Sequence, residues 1–145
     1  MAMVLLLGGC GEKSAAEPFD PAETAQALLD SGAFTDQLAQ ISNQVAVTLY
    51  GLDADTLSDD SVVYVSSGAS AEELAVLQFT DDSAAESAVS LLKQRVEKQT
   101  AACQDYLPDE ILKLSSAITE VRGNTAVLVV AADASAAQKV LDGES

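Results

Sequence analysis

The segment from Asp81 to Pro108 constrains the fold of this chain more than any other. Asp81-Asp82-Ser83 followed by Glu86 carries the acceptor side chains that satisfy the free N–H groups of a helix start. From there Ala85, Ala88, Val89, Leu92, Val96 and Cys103 recur at 3.6-residue spacing and form one apolar stripe. Lys93, Arg95 and Lys98, three of the seven basic residues, fall in the later turns. Cations there complement the helix dipole by about 0.3–1 kcal/mol each. Pro108 closes the segment. A long helix with a single apolar stripe needs an apolar surface to cover it.

The flanking sequence supplies strands for that surface. Ser61–Ser66 is rich in β-branched residues and reads as a strand, and after Gly68-Ala69-Ser70-Ala71 its antiparallel partner runs over Glu73–Phe79. Ala117–Arg122 and Thr125–Ala131 flank Gly123-Asn124, a two-residue loop typical of a tight hairpin. Asp20-Pro21-Ala22-Glu23 spells a helix start, Ala25, Leu28 and Leu29 share one face, and Ser31-Gly32 is the stop. Between Phe34 and Leu52 two periods overlap. Phe34, Leu38, Ile41 and Val45 have helical spacing, whereas Val45, Val47 and Leu49 alternate; a short helix ending at Tyr50-Gly51 is the reading adopted. Pro108-Asp109-Glu110 starts another short helix, and a last one runs from about Ala134 to Leu141 and ends at Gly143. The order ααββα(α)ββα predicts an α+β domain over residues 21–142, a four-stranded antiparallel sheet from two hairpins with helices on one face.

The N-terminus carries an address. The apolar run that ends in Leu7-Gly8-Gly9-Cys10 resembles a lipobox, where bacterial lipoprotein signals are cut before a cysteine that receives a diacylglycerol. No Lys or Arg precedes Cys10 and the apolar run is short, so residues 1–9 are read as the tail of a longer export signal. Residues 10–20 then comprise the lipidated Cys10 and a flexible linker, with Gly11–Phe19 reaching roughly 15–18 Å. The expected location is the outer face of the cytoplasmic membrane, held through lipid on Cys10.

Charge narrows the partners. The formal net charge of −16 opposes binding to nucleic acid and lying flat on anionic lipid. Solubility and mutual repulsion on a crowded membrane account for it. Aromatic residues make up 4% and Trp is absent, which argues against a stacked-ring carbohydrate face. With Cys10 lipidated, Cys103 has no disulfide partner, and its place on the apolar stripe marks it as a small buried hydrophobe.

Catalytic patterns are missing from the sequence. With no His there is no Ser-His or Cys-His arrangement, and with no second free Cys there is no zinc or iron–sulfur set of ordinary composition. No phosphate-binding glycine loop occurs, and no cofactor is expected. The densest candidate is Asp53-Ala54-Asp55-Thr56-Leu57-Ser58-Asp59-Asp60, where Asp53, Asp55, Asp59 and Asp60 could supply oxygens to Ca²⁺. An EF-hand loop would need a ligand at Leu57, Gly at Ser58 and Glu at Tyr64. A solvated connection in which Asp55 or Thr56 caps a helical turn therefore fits better. Ser66-Ser67-Gly68-Ala69-Ser70 reads as turn chemistry, since the sequence sets neither Lys113 nor Lys139 beside it as a base.

Tyr50-Gly51-Leu52-Asp53, Ala71-Glu72-Glu73-Leu74-Ala75-Val76, the long helix running into Tyr106-Leu107-Pro108, and Gly123-Asn124 before Val127-Leu128-Val129-Val130 form an ordered set. That set resembles a family of small lipoproteins from Gram-positive Firmicutes catalogued as a domain of unknown function. The resemblance spans roughly Pro21 to Leu141 and implies a lipid-anchored α+β domain, with no activity or catalytic residues to carry over. The expectation is a non-enzymatic binding or scaffolding module at the cell envelope, holding a protein, peptide or wall component. The alternative is a small wall-directed hydrolase using acidic residues.

Overall fold

A computed structural model describes residues 17–144. The expected signal, Cys10 and most of the linker lie outside the described residues. Five strands form one antiparallel sheet: β1 (Ala39–Ile41), β2 (Val62–Val65), β3 (Glu73–Gln78), β4 (Ile118–Arg122) and β5 (Thr125–Val130), in the spatial order β1-β2-β3-β5-β4. Five α-helices cover it: α1 (Pro21–Asp30), α2 (Asn43–Tyr50), α3 (Asp82–Tyr106), α4 (Ile111–Ser115) and α5 (Ala134–Leu141), with a 3₁₀ turn at Pro108–Glu110 leading into α4.

Caps explain most helix boundaries. Asp20, Ser42, Asp81 and Asp133 each accept the N–H three residues ahead, at Glu23, Val45, Ala84 and Ala136. Gly51 ends α2 in the left-handed conformation (φ 71°), with the Leu52 N–H bonded back to the Val47 carbonyl. The α+β class, both hairpins and the long helix match the sequence reading.

Three features differ. First, the sheet has a fifth strand, β1, paired with β2 through Ala39↔Val65, Gln40↔Tyr64 and Ile41↔Val63. The helical spacing from Phe34 to Val45 is accidental; Ser42 caps a helix inside it, and the residues before Ser42 are extended. Second, helices cover both faces rather than one. Along β3, Leu74 and Val76 join Ala25 and Leu28 of α1 and Leu141 of α5, whereas Ala75 and Leu77 join Tyr50 of α2, Leu92 of α3 and Leu114 of α4. β5 divides the same way, with Val127 and Val129 on the first side and Ala126, Leu128 and Val130 on the second. Both strands are continuous apolar runs, the pattern of a strand buried on two faces. Third, Phe19 does not belong to a linker. It is 8% exposed, its N–H bonds Thr125 Oγ1 at 3.0 Å, and the Arg122 guanidinium lies 4.3 Å from its ring centre.

The molecule has two distinct ends. Pro18 packs against Gly123 at the β4–β5 turn so closely that a side chain there would meet Pro18 Cγ at 2.8 Å, and Asn124 Nδ2 bonds the Phe79 carbonyl. α3 starts beside this end and runs about 37 Å over 25 residues. The six-residue strands β3 and β5 span only about 20 Å. Beyond the C-terminal end of α3, Glu110 Oε2 accepts the Ala71 N–H just ahead of β3, at the opposite end of the sheet.

Candidate functional site

That opposite end holds two adjacent buried acids, Glu72 and Glu73, 1% and 3% exposed. They enter an apolar strand, and successive residues face opposite sides of the sheet. A buried carboxylate without donors is costly, so each must be paired and hydrogen-bonded. Glu72 accepts from Thr35 N–H (3.0 Å), Thr35 Oγ1 (2.7 Å), Asp36 N–H (2.9 Å) and Lys113 Nζ (2.9 Å). Glu73 is gripped by Arg95 through Nη2 (2.8 Å) and Nε (3.2 Å), a bidentate fork, and accepts the Tyr50 hydroxyl at 2.9 Å.

A third carboxylate extends the network. Asp36 Oδ2 accepts the hydroxyls of Ser66 and Ser70. Ser66 Oγ in turn accepts the Gly68 and Ser70 N–H groups, and Ser70 Oγ accepts that of Glu72. Lys113 links Glu72 to Glu110 at 3.1 Å. Together these contacts pin the loop after α1, the β2–β3 connection and α4 to one another. Among the described residues no buried side-chain polar atom lacks a partner.

The electrostatics follow from the donors. Burial pushes the Glu72 carboxyl upward, but hydrogen bonds from Thr35, Asp36 N–H and Lys113 outweigh it and hold the group below its ordinary value. The Ser66 and Ser70 hydroxyls lower Asp36 likewise. Burial disfavours charge on Lys113 and Arg95, yet their carboxylate partners raise both overall. Burial raises Tyr50 well above its usual range, and the charge of Glu73 adds to the effect. At neutral pH Asp36, Glu72, Lys113 and Arg95 are thus held ionised and Tyr50 neutral. Lys113 stands in the same network as the serines but is protonated and bound to Glu72 and Glu110, so it is no base for them. The Ser66 and Ser70 hydroxyls each donate to Asp36 while their oxygens accept N–H groups of the same loop, which supports turn chemistry over a nucleophile.

A small groove of about 200 Å³ opens over the network, with Ile41, Val45, Leu49 and Val65 on its apolar side and Ser66, Ser70, Glu72, Glu73, Arg95 and Gln99 on its polar side. A larger open trough, about 660 Å³, lies away from the glutamates along β4, with Gln138 and Asp142 opposite. Its only cation, Arg122, is paired with Glu120 at 2.7 Å.

The acidic loop has another form. Asp53 Oδ1 accepts the Asp55 N–H at 2.9 Å, the Thr56 hydroxyl bonds the Asp53 carbonyl, and Leu57 pairs with Phe79 as an isolated bridge. The Asp60 N–H bonds Ser58 Oγ, and the Asp59 carbonyl accepts from Asn43 Nδ2. The loop is thus a turn stitched to the C-terminal end of β3. Among the described residues no three Asp, Glu, Cys or His side chains converge as a metal site, and Asp53, Asp55, Asp59 and Asp60 are not brought together. Cys103 is buried and free, in keeping with its place on the stripe.

Sequence reasoning passed over Glu72, Glu73 and Asp36 as site residues. Two acids opening the run Leu74–Leu77 were a signal that something must neutralise them. Their cationic partners lie 22 and 41 residues away, beyond any local pattern.

No curated protein and no solved structure matches the chain. A family model described as a domain of unknown function, DUF4358, matches residues 30–131, which takes in β1 to β5, the two buried glutamates and both of their cations. By that match over most of its length, the chain belongs to the DUF4358 family.

Proposed function

We propose that this protein is a lipid-anchored binding or scaffolding module on the outer face of the cytoplasmic membrane, without catalysis of its own. One observation carries the non-catalytic part. Asp36 and Glu72, the carboxylates most strongly engaged, are both held ionised by internal donors. Hydrolysis of a glycosidic bond by paired carboxylates needs one of them kept protonated as the acid, with a raised pKa. The concavity beside the buried glutamates is a small groove, and the trough along β4 is open. Surfaces of that kind suit a peptide or protein better than a substrate that must be closed off from water.

The anchor rests on Leu7-Gly8-Gly9-Cys10 in the sequence. Cys10→Ala should abolish fatty-acid labelling and shift the protein to the soluble fraction; unchanged labelling would refute the lipid. Incubation with purified cell-wall material should release no soluble fragments. Release that disappears in Glu72→Gln would establish the hydrolase instead.

A further inference from the structure

The two most exposed large apolar side chains of the described residues are Tyr106, the last residue of α3, at 86% and Leu112 of α4 at 77%. They bracket the turn Pro108–Glu110 and stand proud of the polar network that holds this end rigid. Asp105 and Asp109 beside them are exposed and make no ion pair among the described residues. The nearby cation, Lys113, is bound to Glu72 and Glu110. The α3–α4 connection therefore exposes two large apolar side chains together with two unpaired carboxylates, a combination that suits an oppositely charged partner with apolar side chains of its own.

Position narrows the occupant. Residue 17 enters the domain beside Gly123, at the end from which α3 departs, so the tip lies about 37 Å along α3 from the point where an anchor would attach. The surface therefore stands at the end of the domain remote from its N-terminal attachment, and a chain of net charge −16 is repelled by anionic headgroups. A second copy would bring acid against acid. We infer that the α3–α4 tip is a docking surface for a basic segment of a partner protein that presents apolar side chains to Tyr106 and Leu112. The inference rests on the binding-module reading and gives that module its contact surface.

The test uses the full chain carrying Cys10→Ala, so that no detergent is needed, and a labelled helical peptide of leucine and lysine with a leucine–glutamate peptide as control. The basic peptide should bind and the acidic one should not. Tyr106→Ser with Leu112→Ser should weaken binding by about tenfold or more. Asp105→Asn with Asp109→Asn should weaken it several-fold and flatten its salt dependence, while Val121→Ser on β4 leaves it unchanged. All these side chains are exposed, so the melting temperature serves as the folding control. Equal binding by every variant would reduce the effect to overall acidity and overturn the inference. Binding to phosphatidylcholine or phosphatidylcholine–phosphatidylglycerol vesicles that the tip variant abolishes would overturn it in favour of lipid. A dimer in sedimentation equilibrium that the tip variant removes would overturn it in favour of a second copy. Release of wall fragments would defeat the non-catalytic reading and leave the peptide result standing.

Discussion

Two acidic regions of this molecule behave in opposite ways. Asp53–Asp60 is dense in carboxylates, local and solvated, and its side chains and backbone close a turn against the C-terminal end of β3. Glu72–Glu73 is only two residues, yet it is buried and draws partners from α2, α3, α4 and the loop after α1. Charge density along a chain measures little. What a carboxylate does depends on how much water it loses and on which donors replace that water.

The sharpest way to break the contrast is to remove Glu72. Glu72→Ala leaves the Thr35 and Asp36 N–H groups unpaired and Lys113 with Glu110 as its one remaining carboxylate, and should cost about 3–5 kcal/mol in denaturant unfolding. Arg95→Met leaves Glu73 buried with Tyr50 as its remaining donor and should cost about 3 kcal/mol, with Tyr50→Phe smaller at about 1–2 kcal/mol. A loss below about 0.5 kcal/mol in Glu72→Ala would erase the distinction between the two regions.

Acid separates them further. The folded pKa of Glu72 lies below its ordinary 4.5, so its contribution is present above that value and is lost as pH falls through the folded pKa. The melting temperature should therefore fall below pH 4.5, and Glu72→Gln should flatten that dependence. Unchanged acid sensitivity in Glu72→Gln would shift its origin to the surface carboxylates. The smallest effect belongs to the loop. Asp55→Ala with Asp59→Ala should change stability by no more than about 0.5 kcal/mol. Calcium at millimolar concentration should produce no titration heat and no rise in melting temperature; either would restore Asp53, Asp55, Asp59 and Asp60 as a cation site.

Legibility in the sequence follows the range of the interaction. Asp20 and Asp81 announce their helices because a cap bonds three residues ahead, and Gly123-Asn124 announces a hairpin because the turn joins neighbours. The three residues of β1 carry no such mark; their pairing to β2, more than twenty positions on, makes them a strand. The second helical layer was foreshadowed by the apolar runs Leu74–Leu77 and Ala126–Val130, although helices on one face of the sheet were the expectation.

By itself the sequence determined the α+β class, the hairpins, the long helix, the lipobox-like start and the absence of histidine chemistry, since each resides in composition or in contacts a few residues long. Tertiary structure alone decided that Glu72 and Glu73 are buried ions, that Lys113 and Arg95 belong to them, and that Tyr106 and Leu112 stand at the end opposite residue 17. Burial and long-range pairing are properties of the packed sheet and its two helical layers, and no window of the chain contains them.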